Sequence, residues 1–401
     1  MSDNLARQFL IREDVTFLNH GSFGACPRPV FAAYQALQLE LEGEPVEFLG
    51  RRLNDLMRTP REAVAAELGS DPNNIAAVIN ATSGLNIVAQ SLPLKPGDQI
   101  LTTDHEYSAL EKTWAYVCRK TGAEVVVVKV PMPLVSEEVF TDAIIAGMTD
   151  RTKVLFLSHI TSPTALVFPI ERSLAEARKR GIWSVIDGAH TPGHIPLSLD
   201  ALGADFYSGN CHKWMMAPKG SAFLHARPDV QGLLDPLVIS HGWTRESKEP
   251  GALGAFGNSP FIDGIEMQGT RDPSAWLAVP SAIAFRMEHD WTSVADHCSQ
   301  LVQNTARRLG ELTGLPPLSD PKFSAPQMVA MPIPECETAE IHKQLFERYR
   351  IEIPVFKWQD RCIARLSVQG YNSQPQMDKL LNALTELLGL GEAGVAATGQ
   401  G

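Results

Sequence analysis

Between residues 75 and 225 the chain alternates short β-rich runs with amphipathic stretches, and this rhythm limits the possible folds more than any other feature. The runs read IAAVIN, DQILTT, AEVVVVKV, TKVLFLSH, IWSVID, ADFYSG and SAFLHA. Between them lie helical patterns such as SGLNIVAQSL, SALEKTWAYVCRKTG and IERSLAEARKRG. Short apolar runs joined through helices predict an α/β fold with a mostly parallel seven-stranded sheet covered by helices on both faces. The last run follows ADFYSG without a helical pattern between them, which leaves room for one strand of opposite direction.

The flanks read differently. Residues 28–68 are helical, with a break near Gly43-Glu44-Pro45. Residues 226–272 are rich in Gly, Pro and Ser and read as a long irregular loop, a feature usually tied to function in a compact domain. Helix returns over 273–312. From about 320 the pattern is strand QMVAMPI, helix TAEIHKQLFERYR, strands IEIPVF and CIARLSV, and helix QPQMDKLLNALTELLG. That is a small α+β domain, completed in part by N-terminal residues. The expected boundaries are 1–25 for an N-terminal segment beside the active site, 26–312 for the large domain, 313–392 for the small one and 393–401 for a disordered tail.

Composition removes several classes of function. The formal net charge is −11, so the basic face that a nucleic-acid binder needs is not supplied. Local clusters such as RRL at Arg51 and RKR at Arg178 fit solvated helix faces. Six cysteines occur singly, at 26, 118, 211, 298, 336 and 362, without a C-x-x-C pair. A zinc knuckle or a disulfide framework is therefore not expected, and scattered thiols suit a reducing cytoplasm. The start, MSDNLARQFLIRED, lacks a signal-peptide core, and no apolar stretch is long enough for a bilayer.

Ligands of open α/β sheets collect beyond the carboxyl ends of the strands. Those ends carry Thr82-Ser83-Gly84, Asp104-His105-Glu106-Tyr107, Ile160-Thr161-Ser162, Asp187-Gly188-Ala189-His190 and Asn210-Cys211-His212-Lys213. The first sits at a strand-to-helix junction, where free N–H groups and two hydroxyls suit either a phosphate or a plain helix cap. Asp187 follows apolar residues; it is either another cap or a buried acid that needs a cation. Lys213 lies in YSGNCHKWMMAPKG, beside a histidine, a tryptophan and two methionines. Such neighbours fit a desolvated amine that attacks carbonyls better than a surface lysine. A phosphate cradle, a buried acid and a desolvated lysine together point to pyridoxal phosphate. Its aldehyde needs an amine, and its ring nitrogen needs a carboxylate to hold the proton. Tyr107 is available as an aromatic partner for the ring, or as a core residue.

The motifs FLNHGSFGACPRPV, SHITSPTALVFPI, VIDGAHTPG, CHKW, EMQGTRDPSAW and ARLSVQGYN extend the case along nearly the whole chain. With them the sequence resembles the class V aminotransferase group of fold-type I pyridoxal-phosphate enzymes, and within it the isopenicillin N epimerase-like branch. The resemblance implies that Lys213 forms the Schiff base, that Asp187 pairs with the pyridinium nitrogen and that His190 lies near the ring's phenolic oxygen. It implies phosphate contacts from Thr82, Ser83, Asn210 and His212, with Gly84 and Ser162 beside the cofactor and Tyr107 stacked on the ring. Arg365 would hold the substrate carboxylate, and Asn19, His20, Gly21 and Ser22 would line the substrate side. Gly269 and Thr270 would reach the phosphate of a neighbouring subunit, which makes the expected assembly a homodimer with shared sites. His241 and Arg271 fit either ligand contacts or loop packing, and the 240–262 loop is expected to cover the pocket.

Two departures bear on the reaction. Desulfurases of the group carry a nucleophilic cysteine on a loop before the carboxylate-binding arginine, whereas here Cys362 falls inside the strand that carries Arg365. Ser162 stands where the desulfurases have asparagine. The resemblance thus implies an epimerase-like enzyme that removes the Cα proton of an amino acid or amino-acid-bearing small molecule. A carbon–sulfur lyase is the alternative, with an aminotransferase or a non-catalytic module of the same fold behind it.

Overall fold

The computed structural model describes residues 3–244 and 252–390; the expected tail at 393–401 and part of the 240–262 loop lie outside them. In chain order its strands are β1 (Thr16–Phe17), β2 (Ile75–Val78), β3 (Gln99–Thr103), β4 (Glu124–Val128), β5 (Thr152–Ser158), β6 (Trp183–Gly188), β7 (Phe206–Asn210), β8 (Ala222–Ala226), β9 (Met328–Ile333), β10 (Ile351–Glu352), β11 (Val355–Trp358) and β12 (Arg361–Ser367).

Strands β2 to β8 are the seven apolar runs of the sequence, and they form one sheet in the order β2-β8-β7-β6-β5-β3-β4. All neighbours from β7 to β4 are parallel, whereas β8 runs antiparallel to both β7 and β2. The connection over 211–221 contains no helix that could carry a crossover, and β8 returns in the opposite direction. Alternate residues feed two separate cores, as the two-residue period of a strand requires. Ile100, Phe156, Val185 and Phe206 pack on one side; Leu101, Leu155, Ile186 and Tyr207 pack on the other. Helices Ala81–Ser91 and Ser108–Thr121 cover the first side, and Glu137–Gly147 with Glu171–Lys179 the second.

One edge of this sheet is closed by a helix that the sequence reading treated as loop. Pro260–Glu266 lies inside the Gly/Pro/Ser-rich stretch, yet Ser259 caps it by accepting from the Ile262 N–H and Pro260 occupies its first turn. That is a serviceable helix start. The helix is buried against β2, and Glu266 Oε1 accepts from the free Ala77 N–H of this edge at 2.9 Å. Its other oxygen pairs with Arg61 at 2.8 Å, both side chains being only 4% exposed, so the buried charge is countered.

The C-terminal region forms a three-stranded antiparallel sheet, β11-β12-β9, backed by helices Thr338–Tyr349 and Gln374–Leu388 and by the long helix Trp291–Thr313. The IEIPVF run splits at Pro354 into β10 and β11. β10 pairs in parallel with β1, and Asn19 bridges Ser367. These two links bring the N-terminal segment to the junction of the sheets. Gly24 then passes so close to the carbonyl of His212 that a side chain there would overlap it, and its φ of 71° also favours glycine.

Candidate active site

The chain order of the large sheet reverses between β3 and β5: β3 leads to the helix on one face, β5 to the helix on the other. At such a switch the strand ends leave a crevice. It is part of a cavity of about 1000 Å³ lined from both sheets and from the N-terminal segment. Thr82, Tyr107, Ser162, Asp187, His190, Asn210, His212, Lys213 and Arg365 all line it, with Gly21 and Ser22.

Asp187 is the penultimate residue of β6, at the register position of Ser158 on β5 and Ser208 on β7. It is 4% exposed, and its Oδ1 accepts from the Ala189 N–H at 2.8 Å. The other carboxylate oxygen has no hydrogen-bond partner among the described residues. Burial pushes the acid up to about 6, opposed by the Ala189 N–H and by the Lys213 charge. A carboxylate in this state calls for a cationic N–H from a ligand.

Lys213 lies three residues after β7, in the 211–221 connection that leads to β8. Burial and then the Arg365 charge push its amine down to about 7, against the opposing pull of Asp187. Its Nζ lies 3.1 Å from Nε2 of His190, and its carbonyl accepts from Nε2 of His20 at 3.0 Å. Burial and the Lys213 charge together hold His190 well below the ordinary imidazole range.

Arg365 projects from β12, the middle strand of the small sheet, and is 6% exposed. Nη1 donates to the Ser162 carbonyl at 2.6 Å and its hydroxyl at 3.1 Å; Nη2 donates to Ser22 Oγ at 3.0 Å. Nε is buried without an acceptor among the described residues. This is a guanidinium clamped in orientation with two N–H donors left over, on Nε and Nη2, which suits a planar carboxylate. Cys362 lies three residues away and therefore on the opposite face of β12. Its thiol is turned to Glu335 and the Cys336 carbonyl, outside the cavity.

At the end of β2 the helix Ala81–Ser91 is capped by Asn80, whose side chain accepts from the Ser83 N–H at 2.8 Å. Asn210 Oδ1 accepts from the Ala81 N–H at 2.8 Å. The cap is thus Asn80, and among the described contacts the Thr82 N–H has no acceptor while Thr82 faces the cavity. Ser83 and Gly84 do not line the cavity; Gly84 packs against Ser208. His212 uses Nδ1 on the Ser221 carbonyl at 3.3 Å and is pushed down to about 4 by burial. Tyr107 is 42% exposed at the cavity mouth, which sets aside the core-tyrosine reading.

Other expected contacts fall elsewhere. Asn19 and His20 are buried behind the cavity wall. Asn19 accepts from Ser22 Oγ at 2.5 Å, and His20 takes its second hydrogen bond at Nδ1 from the Tyr371 hydroxyl at 3.0 Å. Both orient the wall instead of facing the cavity. Gly269 and Thr270 are exposed and away from the cavity of this chain. His241 is exposed and off the cavity, and Arg271 donates to the Glu266 carbonyl at 3.4 Å.

Glu106 is the main group that the sequence reading left without a role. It lines the cavity, is buried, and accepts from Thr103 Oγ1 at 2.7 Å and Ser158 Oγ at 2.6 Å. Burial pushes it up to about 8, so it keeps its proton at neutral pH. Its only sequence signal was its place directly after a buried strand.

The unmet demands are specific. They ask for a ligand with a cationic N–H for Asp187, a carboxylate for Arg365 and an electrophile for an amine whose proton is held less tightly than an ordinary lysine's.

A family model described as aminotransferase class-V matches residues 21–380. The chain is 37% identical to an isopenicillin N epimerase of Amycolatopsis lactamdurans over 96% of its own length and 98% of that protein. It is 30% identical to a putative L-cysteine desulfhydrase 1 of Oryza sativa subsp. japonica, over 93% and 83%. Its fold matches that of the cysteine desulfurase CsdA from Escherichia coli with a TM-score of 0.79 at 21% identity, covering 97% of this chain and 99% of that one.

Proposed function

The chain belongs to the class V aminotransferase family, and we propose that it is a pyridoxal-phosphate enzyme that removes the Cα proton of an amino acid or amino-acid-bearing small molecule, with an epimerase-like outcome. The observation that carries this reading is the placement of one neutral-leaning amine, Lys213, in a cavity with an under-partnered acid and a clamped arginine. Near-full-length similarity to an isopenicillin N epimerase supports the outcome.

When bound, pyridoxal phosphate supplies an aldehyde for amines and a protonated ring that withdraws the electron pair left at Cα. Asp187 holds the ring-nitrogen proton with its free oxygen. The Thr82 N–H would meet the phosphate and Tyr107 would offer its ring, whereas His212, neutral with its proton on Nδ1 toward the Ser221 carbonyl, offers the phosphate a donor only when Nε2 is also protonated. Arg365 orients the substrate carboxylate through Nε and its Nη edge, so that the Cα–H bond is presented consistently. Lys213 would take the Cα proton on Nζ. Delivery of a solvent proton to the opposite face of Cα would invert the centre.

The similarity to a cysteine desulfhydrase favours a second reading, carbon–sulfur cleavage by loss of a β-substituent from the same starting step. The position of Cys362 speaks against persulfide chemistry in either case. We also propose a homodimer with shared sites, because Phe23, Ile79 and Tyr107 leave apolar surface at the cavity mouth and Gly269-Thr270 is exposed. Among the described residues no helix is long and apolar enough to cross a membrane.

The test is a panel of amino acids followed by proton NMR in deuterated water. Deuterium at Cα without a keto product supports epimerisation. Pyruvate and ammonia from β-substituted substrates replace it with the lyase reading, and a keto acid formed only with an amino acceptor indicates transamination. Purified protein that takes up no pyridoxal phosphate overturns all three.

A further inference from the structure

Trp214 lies directly after the lysine and is fully buried. Its ring stacks on His194, with centroids 3.8 Å apart and planes 20° from parallel. His194 is itself fixed. Its Nε2 accepts from the Gln327 backbone N–H at 3.0 Å, so Nδ1 carries the proton, which it donates to the His190 carbonyl at 3.0 Å. The two segments approach so closely at Gly193 that a side chain there would press on the backbone of Trp214 and Met215. Trp214 therefore has one orientation relative to His190. In it the indole Nε1 lies 3.3 Å from His190 Nδ1.

An indole N–H only donates. The Nδ1 of His190 must then be the bare nitrogen, and in a neutral imidazole the proton sits on Nε2. That nitrogen faces Lys213 Nζ at 3.1 Å. We infer that Trp214 is a positioning residue: its indole N–H sets His190 as the Nε2–H tautomer, which makes His190 a fixed donor toward the lysine nitrogen and bars it from acting as a proton shuttle. A donor aimed at Nζ favours the amine with its lone pair in place and opposes the ammonium. The same N–H remains aimed into the cavity when Lys213 moves away, available to an acceptor of the bound cofactor. This second consequence rests on the proposed function; the tautomer does not.

The charged and titratable groups around the pair are Asp187 and His212 near the ends of β6 and β7, Arg365 from β12, and His194 and His20 against the Trp214 ring. None of them substitutes for the indole at Nδ1. Trp214 differs from a plain core residue in this: removing its N–H while keeping an aromatic ring changes the protonation of two neighbours.

The experiment reads the ring nitrogens of isotope-labelled histidine by heteronuclear NMR, in protein with and without pyridoxal 5′-phosphate, with His190→Gln to assign the signals. Wild type is expected to show His190 protonated at Nε2 and bare at Nδ1. Trp214→Phe is expected to show a mixture of tautomers. In that variant the midpoint of the pH dependence with which cofactor-free protein captures pyridoxal 5′-phosphate is expected to rise by about one unit, the effect of one lost hydrogen bond. A wild-type His190 protonated at Nδ1 overturns the inference. So does a folded Trp214→Phe protein with unchanged His190 signals and an unchanged midpoint. If that variant fails to fold, the wild-type spectrum decides alone. Protein that binds no cofactor sinks the proposed function but leaves the tautomer measurement standing.

Discussion

The floor and the rim of the cavity are built on opposite principles. On the floor, Asp187, His190, Lys213 and Trp214 are held by strand ends and tight turns, and nearly every polar atom has one assigned partner. At the rim, Phe23 is 70% exposed and Ile79 50%, and neither is held by a side-chain hydrogen bond. A parallel sheet delivers its strand ends at fixed spacing, so the groups that perform the chemistry sit where the backbone is least free to move. The rim comes from loops and from the N-terminal segment, where sequence can change without disturbing that register. The shared first step is thus a property of the floor, and the choice of substrate a property of the rim.

Lys213→Ala is the sharpest way to break the comparison. Exchange of the Cα proton should fall on the order of a thousand-fold, the usual weight of a lost general base. The variant should also lose the borohydride-fixable yellow colour of the loaded protein. Phe23→Ala at the rim should alter exchange of a small amino acid by no more than about threefold, in line with other exposed substitutions. If the two variants lose comparable activity toward the same small substrate, floor and rim do not divide chemistry from selection as argued.

Arg365 belongs to both regions, rooted in β12 yet clamped by Ser22 and Ser162. Arg365→Lys keeps the charge but loses the planar fork. We expect kcat/KM for carboxylate-bearing substrates to drop roughly 10- to 100-fold, mostly through KM, the scale of a lost charge-assisted hydrogen bond. Substrate amines without a carboxylate should be affected much less. An equal loss for both would make Arg365 a fold residue only.

The protonation of Lys213 offers a gentler probe. Its amine is lowered to about 7, so the neutral fraction should grow about tenfold per pH unit below that value and level off above it. Capture of pyridoxal 5′-phosphate by cofactor-free protein should follow that curve. A rate still rising steeply at pH 9 would show a lysine with an ordinary pKa and remove the argument for a desolvated floor.

The sequence was most legible where local pattern and tertiary role coincide. All seven sheet strands were visible as runs: six because a strand buried on both faces has little room for polar residues, and the exposed edge strand β4 because of its consecutive valines. Asp187 and Lys213 stood out because each follows such a run. The helix Pro260–Glu266 was hidden by its flanks: it owes its stability to burial against β2, which composition does not show. Asn19 and His20 were expected to face the ligand, yet they orient the wall. Their partners, Glu352 and Tyr371, lie more than three hundred residues away in sequence. The Trp214–His190–Lys213 chain was likewise out of reach, since adjacency of Lys213 and Trp214 says nothing about where the imidazole turns its nitrogens.

Glu106 gives the smallest expected effect on activity and tests whether the floor tolerates a second negative charge. The acid is raised to about 8 in the folded protein from an ordinary value near 4.5. Between those limits the unfolded chain has lost the proton that the folded chain keeps. The acid's contribution therefore declines as pH rises through this window, by at most about 1.4 kcal/mol per unit. Glu106→Gln has the shape of the protonated acid and cannot ionise. Urea titrations should show the variant gaining on wild type steadily from pH 5 to pH 8, with Cα exchange at pH 7 retained within about threefold, as for a near-isosteric change. A variant that instead loses stability with rising pH relative to wild type would mean Glu106 is ionised in the fold. Asp187 would then share the floor with a second carboxylate, and a single negative charge beneath the cofactor would no longer describe this site.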